Sequence, residues 1–140
     1  MTIAIDFDGT IVEHKYPRIG KPIPFAIETL LQLQKENYRL ILWTVREDDL
    51  LQEAIDYCAE RGLVFYANNA NYPGEETPSP RKLSVDMFID DRNLGGLPDW
   101  GVIYKAVQAT ARGESSFQTI MSSQETQQEK DKRKKNIFLR

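Results

Sequence analysis

Residues 3–12 read IAIDFDGTIV, an aliphatic run that ends in two carboxylates, Asp6 and Asp8, placed one residue apart. A short apolar run bounded by charged residues is typical of a buried strand in a parallel sheet. The pattern therefore predicts a strand over residues 3–7 that delivers acidic side chains to one edge of a sheet.

Further apolar runs and helical patterns alternate along the chain. Three runs share the length of a strand: residues 39–43, 63–66 and 85–89. Three segments have apolar residues at helical spacing: about 24–38, 47–61 and 99–112. Alternating strands and helices predict parallel βαβ units, and hence an α/β fold of the three-layer α/β/α, Rossmann-like type with a mainly parallel sheet.

The C-terminal segment differs from the rest of the chain in charge. The 140 residues carry a formal charge of −3, but residues 124–140 hold six basic and three acidic side chains, and the residues before them hold 12 and 18. Large apolar residues are few beyond Gly113, so little surface can be buried to offset the chain entropy. We expect a folded domain over residues 1–113 and a polar tail over 114–140 that is flexible or marginally helical.

Cysteine content and hydropathy exclude several classes of protein. Cys58 is the single cysteine, so no internal disulfide can form, and its helical spacing predicts a core position. The Cys-x5-Arg motif of thiol phosphatases would need Arg where Val64 stands. The sequence has no signal-peptide pattern and no apolar run that could span a membrane, so we expect a cytoplasmic protein.

Polar side chains follow three of the predicted strands: Asp6 and Asp8, then Thr44, then Asp90 and Asp91. The carboxyl ends of parallel strands share one edge, where ligands bind. Asp6 and Asp8 lie on the same side of an extended chain, close enough to share one site. Clustered carboxylates repel, and oxygen ligands without His or Cys favour Mg²⁺. The alternative for Asp90 and Asp91 is a solvated turn after a strand.

The ordered motifs resemble those of the haloacid dehalogenase (HAD) superfamily. They are DFDGTIV at the first strand, the Thr that ends LILWT, the Lys in SPRKL and FIDD at the fourth strand. All four occur in order, and together they cover residues 1 to about 110. The resemblance implies a catalytic domain of a HAD-like hydrolase. It implies a phosphatase because members with Asp two residues after the nucleophile are phosphatases or phosphotransferases.

By this resemblance the protein is a Mg²⁺-dependent phosphomonoesterase with an aspartyl-phosphate intermediate. Asp6 would be the nucleophile, and Asp8 would protonate the leaving alcohol and then activate water. The Mg²⁺ ligands implied are the Asp6 carboxylate, the Asp8 backbone carbonyl and Asp90, with Asp91 bound directly or through water.

The resemblance also implies a phosphate-binding set. Gly9 would let the chain turn beside the phosphate, Thr10 would order that turn, and Thr44 would donate a hydrogen bond to a phosphoryl oxygen. Lys82 would balance the charge of the nucleophile and the transferring group. Arg81 adjoins Lys82, and the family motif favours Lys82 as the residue that points inward.

Arg46 follows two residues after Thr44 and is a candidate substrate contact; the alternative is a solvated residue at a helix start. Two other site types fit less well. An EF-hand loop does not place Gly9 directly after Asp8. A receiver domain of two-component signalling has its acidic pair first and its phosphorylated Asp later, the reverse of the order here.

The resemblance implies a member without a cap domain, because residues 10–23 leave room only for a short flap and residues 46–82 for a helix, a strand and a loop. An open site suits phosphate on a macromolecule, or a small phosphorylated substrate enclosed by a neighbouring subunit of a homo-oligomer. The basic cluster over 130–135 could attract nucleic acid. We favour a solubilising tail, because acidic residues interrupt the cluster and the rest of the chain is acidic. Two alternatives stay open: a catalytically weak phosphate-binding or protein-interaction module, and a phosphatase acting on nucleic-acid ends.

Overall fold

The structure, a computed structural model, describes residues 1–76 and 82–139. These residues form six strands and four helices, in the order β1 (Thr2–Ile5), β2 (Val12–Lys15), β3 (Arg18–Pro22), α1 (Ala26–Lys35), β4 (Arg39–Leu42), α2 (Asp48–Ala59), β5 (Ala67–Asn68), β6 (Met87–Ile89), α3 (Trp100–Ala111) and α4 (Ser116–Phe138). The chain divides into two compact units, Met1–Leu97 and Pro98–Arg140. The first unit contains every strand and the first two helices.

Four parallel strands form the sheet of the first unit, in the order β5-β4-β1-β6. β1 lies in the interior, with Ile3 opposite Leu40 of β4 on one side and Met87 of β6 on the other. α1 connects β1 to β4 and α2 connects β4 to β5, as parallel neighbours require. The predicted α/β class with a parallel, Rossmann-like sheet is therefore confirmed.

The interior strands are buried except at the first residue of each. Consecutive residues of β1 and β4 are almost completely inaccessible, so both faces of the sheet are covered. One cluster of buried residues on this sheet consists of Ala4, Ile41, Ala67, Ala70 and Leu83, with Trp43, Val85 and Phe88 packed against it. Cys58 is buried in α2, as its spacing predicts. This core fixes the strands whose ends carry the acidic residues.

The strand predicted over residues 63–66 is wrong in position. The N–H of Leu63 donates to Cys58 O and that of Gly62 to Ala59 O, which are the two hydrogen bonds of a Schellman cap on α2. Leu63 is therefore buried as part of a helix terminus, and Val64 is exposed. Pairing with β4 begins only at Tyr66, whose N–H donates to Leu40 O.

An antiparallel hairpin of β2 and β3 occupies the place of the predicted flap, and we call residues 12–22 the flap. The sequence pattern did not predict its strands, because most of their residues are exposed and polar. Within the described residues, 46–76 hold only α2, β5 and their loops. Neither segment contains an inserted domain in its described part, in agreement with the capless architecture expected.

The C-terminal segment is helical, although residues 124–139 are all exposed. Ser115 caps α4 by accepting the N–H of Gln118, and the side chain of Gln127 donates to Asp131 one turn later. α3 and α4 form the second compact unit, Pro98–Arg140, and the predicted boundary between domain and tail at 113/114 stays a prediction. No helix in the described residues is long and apolar enough to cross a membrane.

The Schellman cap of α2 gives a test of the fold. Gly62 has φ +85°, a conformation that costs other residues about 1–2 kcal/mol. We expect Gly62→Ala to lower the free energy of unfolding by about this amount, measured by urea denaturation. Gly62→Asn is the control, because Asn tolerates the left-handed region better and should lose less. Equal stability of the wild type and Gly62→Ala would contradict the assignment.

Candidate active site

Three carboxylates meet at the carboxyl edge of the sheet. Asp6 follows β1, and Asp90 and Asp91 follow β6, the neighbouring strand. The N–H of Asp6 donates to Ile89 O at 2.9 Å, so strand pairing extends to the residues that carry the acids. Each residue offers a carboxylate oxygen, and the three oxygens lie within 4.8 Å of one another. The predicted convergence of these residues on one edge is confirmed.

Thr10 is the side chain that ties the two acidic segments together. It is fully buried, and its hydroxyl donates to Asp6 Oδ2 at 3.0 Å while it accepts the backbone N–H of Asp91 at 3.0 Å. A hydroxyl has one proton and two lone pairs, so both contacts are satisfied at once. The side chain of Thr10 thus orients the carboxylates, and its contact with phosphate stays a prediction.

The pKa of Asp6 lies well above the ordinary value of an aspartate. Burial, a hydrogen bond with the Asp91 side chain and the charge of Asp90 raise it to about 7, and the hydrogen bond from Thr10 only partly offsets them. The ionised cluster is therefore unfavourable on its own. A cation at this place would remove the repulsion, so the charge state of the site fits a divalent metal ion.

Gly9 allows the loop after β1 to pass close to Asp91. Its φ is +86°, and a Cβ at this position would collide with the Asp91 carboxylate. The carbonyl of Phe7 accepts the N–H groups of Thr10 and Ile11, which closes the turn. Both the conformation and the contact require glycine here, in agreement with the tight turn that the DFDGT pattern predicts.

Asp8 does not join the three-carboxylate cluster. It is only 6% exposed, and Arg46 binds it through two parallel hydrogen bonds, from Nε to Oδ2 and from Nη2 to Oδ1, both at 2.8 Å. Asp6 and Asp8 are two residues apart, yet they face different partners, because the chain leaves β1 after Ile5. The Asp8 carboxylate is therefore not a member of the three-acid group, and the action of Asp6 and Asp8 on one substrate stays a prediction.

Arg46 is the residue whose role the sequence misjudged. It is fully buried, so it is neither a substrate contact at the rim nor a solvated residue at a helix start. Asp8 raises the pKa of Arg46 above its ordinary value through this hydrogen bond. A cation four residues after β4 and an acid three residues after the adjacent β1 are the signal that could have suggested the pair.

Thr44 lies near the same edge, after β4. Its N–H donates to Asn69 Oδ1 at 2.8 Å, and its hydroxyl accepts the N–H of Arg46 at 3.1 Å. Asn69 has φ +49°, a conformation that Asn adopts more readily than most residues. Asn69 thus holds the loop of Thr44, a function that sequence reasoning missed. The hydrogen bond from Thr44 to a phosphoryl oxygen stays a prediction.

Lys82 and Arg81 are the two basic residues predicted at the phosphate. Lys82 is exposed, and its Nζ lies 5.7 Å from the centroid of the Phe88 ring. Phe88 lies in β6 two residues before Asp90. Lys82 therefore contacts the strand that leads to Asp90 and Asp91. Arg81 lies outside the described residues. The charge-balancing function of Lys82 stays a prediction.

A solved structure described as the conserved protein coded by a locus from Bacteroides thetaiotaomicron is similar to this chain. The sequences are 64% identical, the match covers 79% of this chain and 91% of that chain, and the TM-score is 0.76. The chain belongs to the family of that protein. No family model and no curated protein matches this chain. The description of the Bacteroides protein names no activity, so the chemistry of this member of the family follows from its own residues.

The hydroxyl of Thr10 gives a test of the site. Thr10→Val keeps the shape but leaves the N–H of Asp91 without its buried acceptor, so we expect a loss of about 1–3 kcal/mol in the free energy of unfolding. Thr10→Ser keeps the hydroxyl and should lose less. The measurement is urea denaturation in EDTA. A valine variant as stable as the serine variant would contradict the bridging function.

The raised pKa of Asp6 predicts a pH dependence of stability without metal. The folded protein holds the Asp6 proton up to about pH 7, whereas the unfolded chain releases it near 3.8. This contribution to stability is complete below pH 3.8 and is lost as the pH rises through 7. In EDTA, Asp6→Asn should therefore gain stability relative to wild type between pH 4 and 8. A difference between the two proteins that does not change with pH would contradict the prediction.

Proposed function

We propose that the protein is a Mg²⁺-dependent phosphomonoesterase that acts through an aspartyl-phosphate on Asp6. One observation carries this proposal: Asp6, Asp90 and Asp91 place carboxylate oxygens within 4.8 Å of one another at the carboxyl edge of a parallel sheet. The resemblance of the four ordered motifs to the HAD superfamily supports the same reading. Neither a fold nor an acidic cluster alone would identify this reaction.

The resemblance to the HAD superfamily implies the steps of the reaction. The Asp6 carboxylate attacks phosphorus and forms an acyl phosphate as the bond from phosphorus to the leaving alcohol breaks. Asp8 in its protonated form gives a proton to that alcohol oxygen, and the ionised Asp8 that results is the form that pairs with Arg46. Asp8 then takes a proton from a water molecule that attacks phosphorus, which releases inorganic phosphate and restores Asp6.

The two carboxylates have different surroundings. Thr10 orients Asp6 by its hydrogen bond to Oδ2. Asp8 is held by Arg46 in a fixed plane, and each of its oxygens keeps a second lone pair for a proton. Two acids of the same type, close in sequence, are thereby placed in two environments.

The carboxylates of Asp6, Asp90 and Asp91 would hold the magnesium ion, together with the backbone carbonyl of Asp8. When bound, Mg²⁺ supplies positive charge that offsets the repulsion between the nucleophile and an anionic phosphate. The donor set fits this ion, because all of its members are oxygen atoms.

The substrate proposed is a phosphate monoester, either a small molecule or an accessible phosphate on a macromolecule. Support comes from the capless architecture of the described residues, in which the small flap is the only insertion between β1 and α1. We also propose a cytoplasmic location.

Turnover is the test of this function. Purified protein with Mg²⁺ should release inorganic phosphate from p-nitrophenyl phosphate or from members of a metabolite panel, and EDTA should abolish release. Asp6→Asn removes the nucleophile while it keeps the shape, so we expect a rate loss of at least about 1000-fold. Asp131→Asn, on the exposed part of α4, is the matched control and should retain full activity. An Asp6→Asn protein with full activity would refute the mechanism.

A second candidate is a phosphate-binding module with little turnover. The exposed position of Lys82, with its ammonium over the ring of Phe88, favours it, because charge balance at a transferring phosphate needs a cation at the carboxylates. Mg²⁺-dependent binding of phosphate esters, together with no release from the whole panel, would support this candidate against the phosphatase.

A further inference from the structure

The guanidinium of Arg46 uses its entire set of hydrogen-bond donors. Nε and Nη2 bind the Asp8 carboxylate, Nη2 also donates to Arg18 O at 3.0 Å, and Nη1 donates to Pro17 O at 3.0 Å and to Leu50 O at 3.5 Å. A guanidinium has five N–H groups, and here each has an acceptor. Arg46 therefore joins three separate segments: the loop after β1, the flap and the first turn of α2.

The flap reaches Arg46 mainly through its turn. The two acceptors are backbone carbonyls. One belongs to Pro17, which lies between β2 and β3, and the other to Arg18, the first residue of β3. The ring of Tyr16 lies 5.4 Å from the guanidinium carbon, and Phe7 lies 5.2 Å away. A cation beside aromatic rings gains further electrostatic attraction.

The contacts of Arg46 are interdependent because its charge is buried. A fully buried cation is stable only if a counter-charge and further hydrogen bonds replace water, and Asp8 and the flap carbonyls supply these together. If the flap moves away, Arg46 loses two acceptors and the rigid support of its other bonds. If Asp8 is neutralised, the cation that holds the flap loses its counter-charge.

We propose that Arg46 is a positioning residue that couples the flap to the Asp8 carboxylate, so that the orientation of Asp8 depends on a seated flap. The catalytic consequence rests on the proposed function, because it assumes that Asp8 handles the proton of the leaving group. The coupling itself is a property of the folded chain and does not depend on turnover. Arg46 contacts Asp8 and the flap, and the proposal gives it no contact with substrate.

Hydrogen–deuterium exchange of the full chain in EDTA tests the coupling. Arg46→Gln and Asp8→Asn should each accelerate exchange of the flap amides by about tenfold or more, with little change in β1. The double variant should show no more acceleration than the larger single effect, because both changes break one unit. Arg46→Lys keeps the charge but not the five donors, and should fall between Arg46→Gln and wild type.

Arg112→Gln is the matched control, since it removes an arginine from an exposed ion pair with Glu114. Its flap exchange should equal that of wild type, and an acceleration as large as in Arg46→Gln would overturn the proposal. Unchanged flap exchange in Asp8→Asn, or effects that add in the double variant, would overturn it too. If Arg46→Gln does not fold, Arg46→Lys and Asp8→Asn still decide the question.

Kinetics separate positioning from a structural or substrate-binding function. On whichever phosphate ester wild type hydrolyses, Arg46→Gln should lower kcat by about 100-fold with KM within about twofold, and Arg46→Lys should recover part of kcat. A raised KM with unchanged kcat would overturn the proposal in favour of a substrate contact. If wild type hydrolyses no ester, the proposed function fails, and the exchange measurement decides the coupling by itself.

Discussion

Repulsion among three carboxylates is the constraint on which the architecture of this site depends. Asp6, Asp90 and Asp91 are brought together because β1 and β6 are parallel neighbours and end at the same edge. The core provides the rigidity that holds them there, since the interior strands are buried on both faces. Thr10 and Gly9 complete the arrangement, one by a hydrogen bond to each segment and the other by leaving space for Asp91.

Arg46 separates the second aspartate of the DFD pattern from this cluster. A charged pair buried in this way is of little net benefit to stability, because both partners lose their hydration. What it provides is geometry: the planar guanidinium fixes the plane of the Asp8 carboxylate and connects it to the flap. Asp6 therefore lies among like charges and Asp8 beside an opposite charge, although only Phe7 separates them. The two aspartates therefore lie in opposite electrostatic environments.

The sequence predicted the backbone of the site better than its side-chain contacts. Apolar runs followed by acids place Asp6, Asp90 and Asp91 at one edge, because the parallel direction of the strands follows from their alternation with helices. The hydrogen-bond partners of Asp8 and Thr10 lie in loops that are distant in sequence. The positions of short loops cannot be predicted from a periodic pattern of apolar residues. The third strand was misplaced because Leu63 is apolar for a different reason, the cap of α2. The tail was not predicted as a full helix because its residues bury little surface, whereas local caps and side-chain pairs favour the helical form.

The central claim is that the three carboxylates form one site for a divalent cation. Electron paramagnetic resonance of Mn²⁺, used as a probe for Mg²⁺, counts bound ions directly. The account predicts one bound Mn²⁺ per chain that Mg²⁺ displaces, and a strong loss of binding in Asp90→Asn but not in Asp131→Asn. Absence of saturable binding, or binding that Asp90→Asn leaves unchanged, would contradict it.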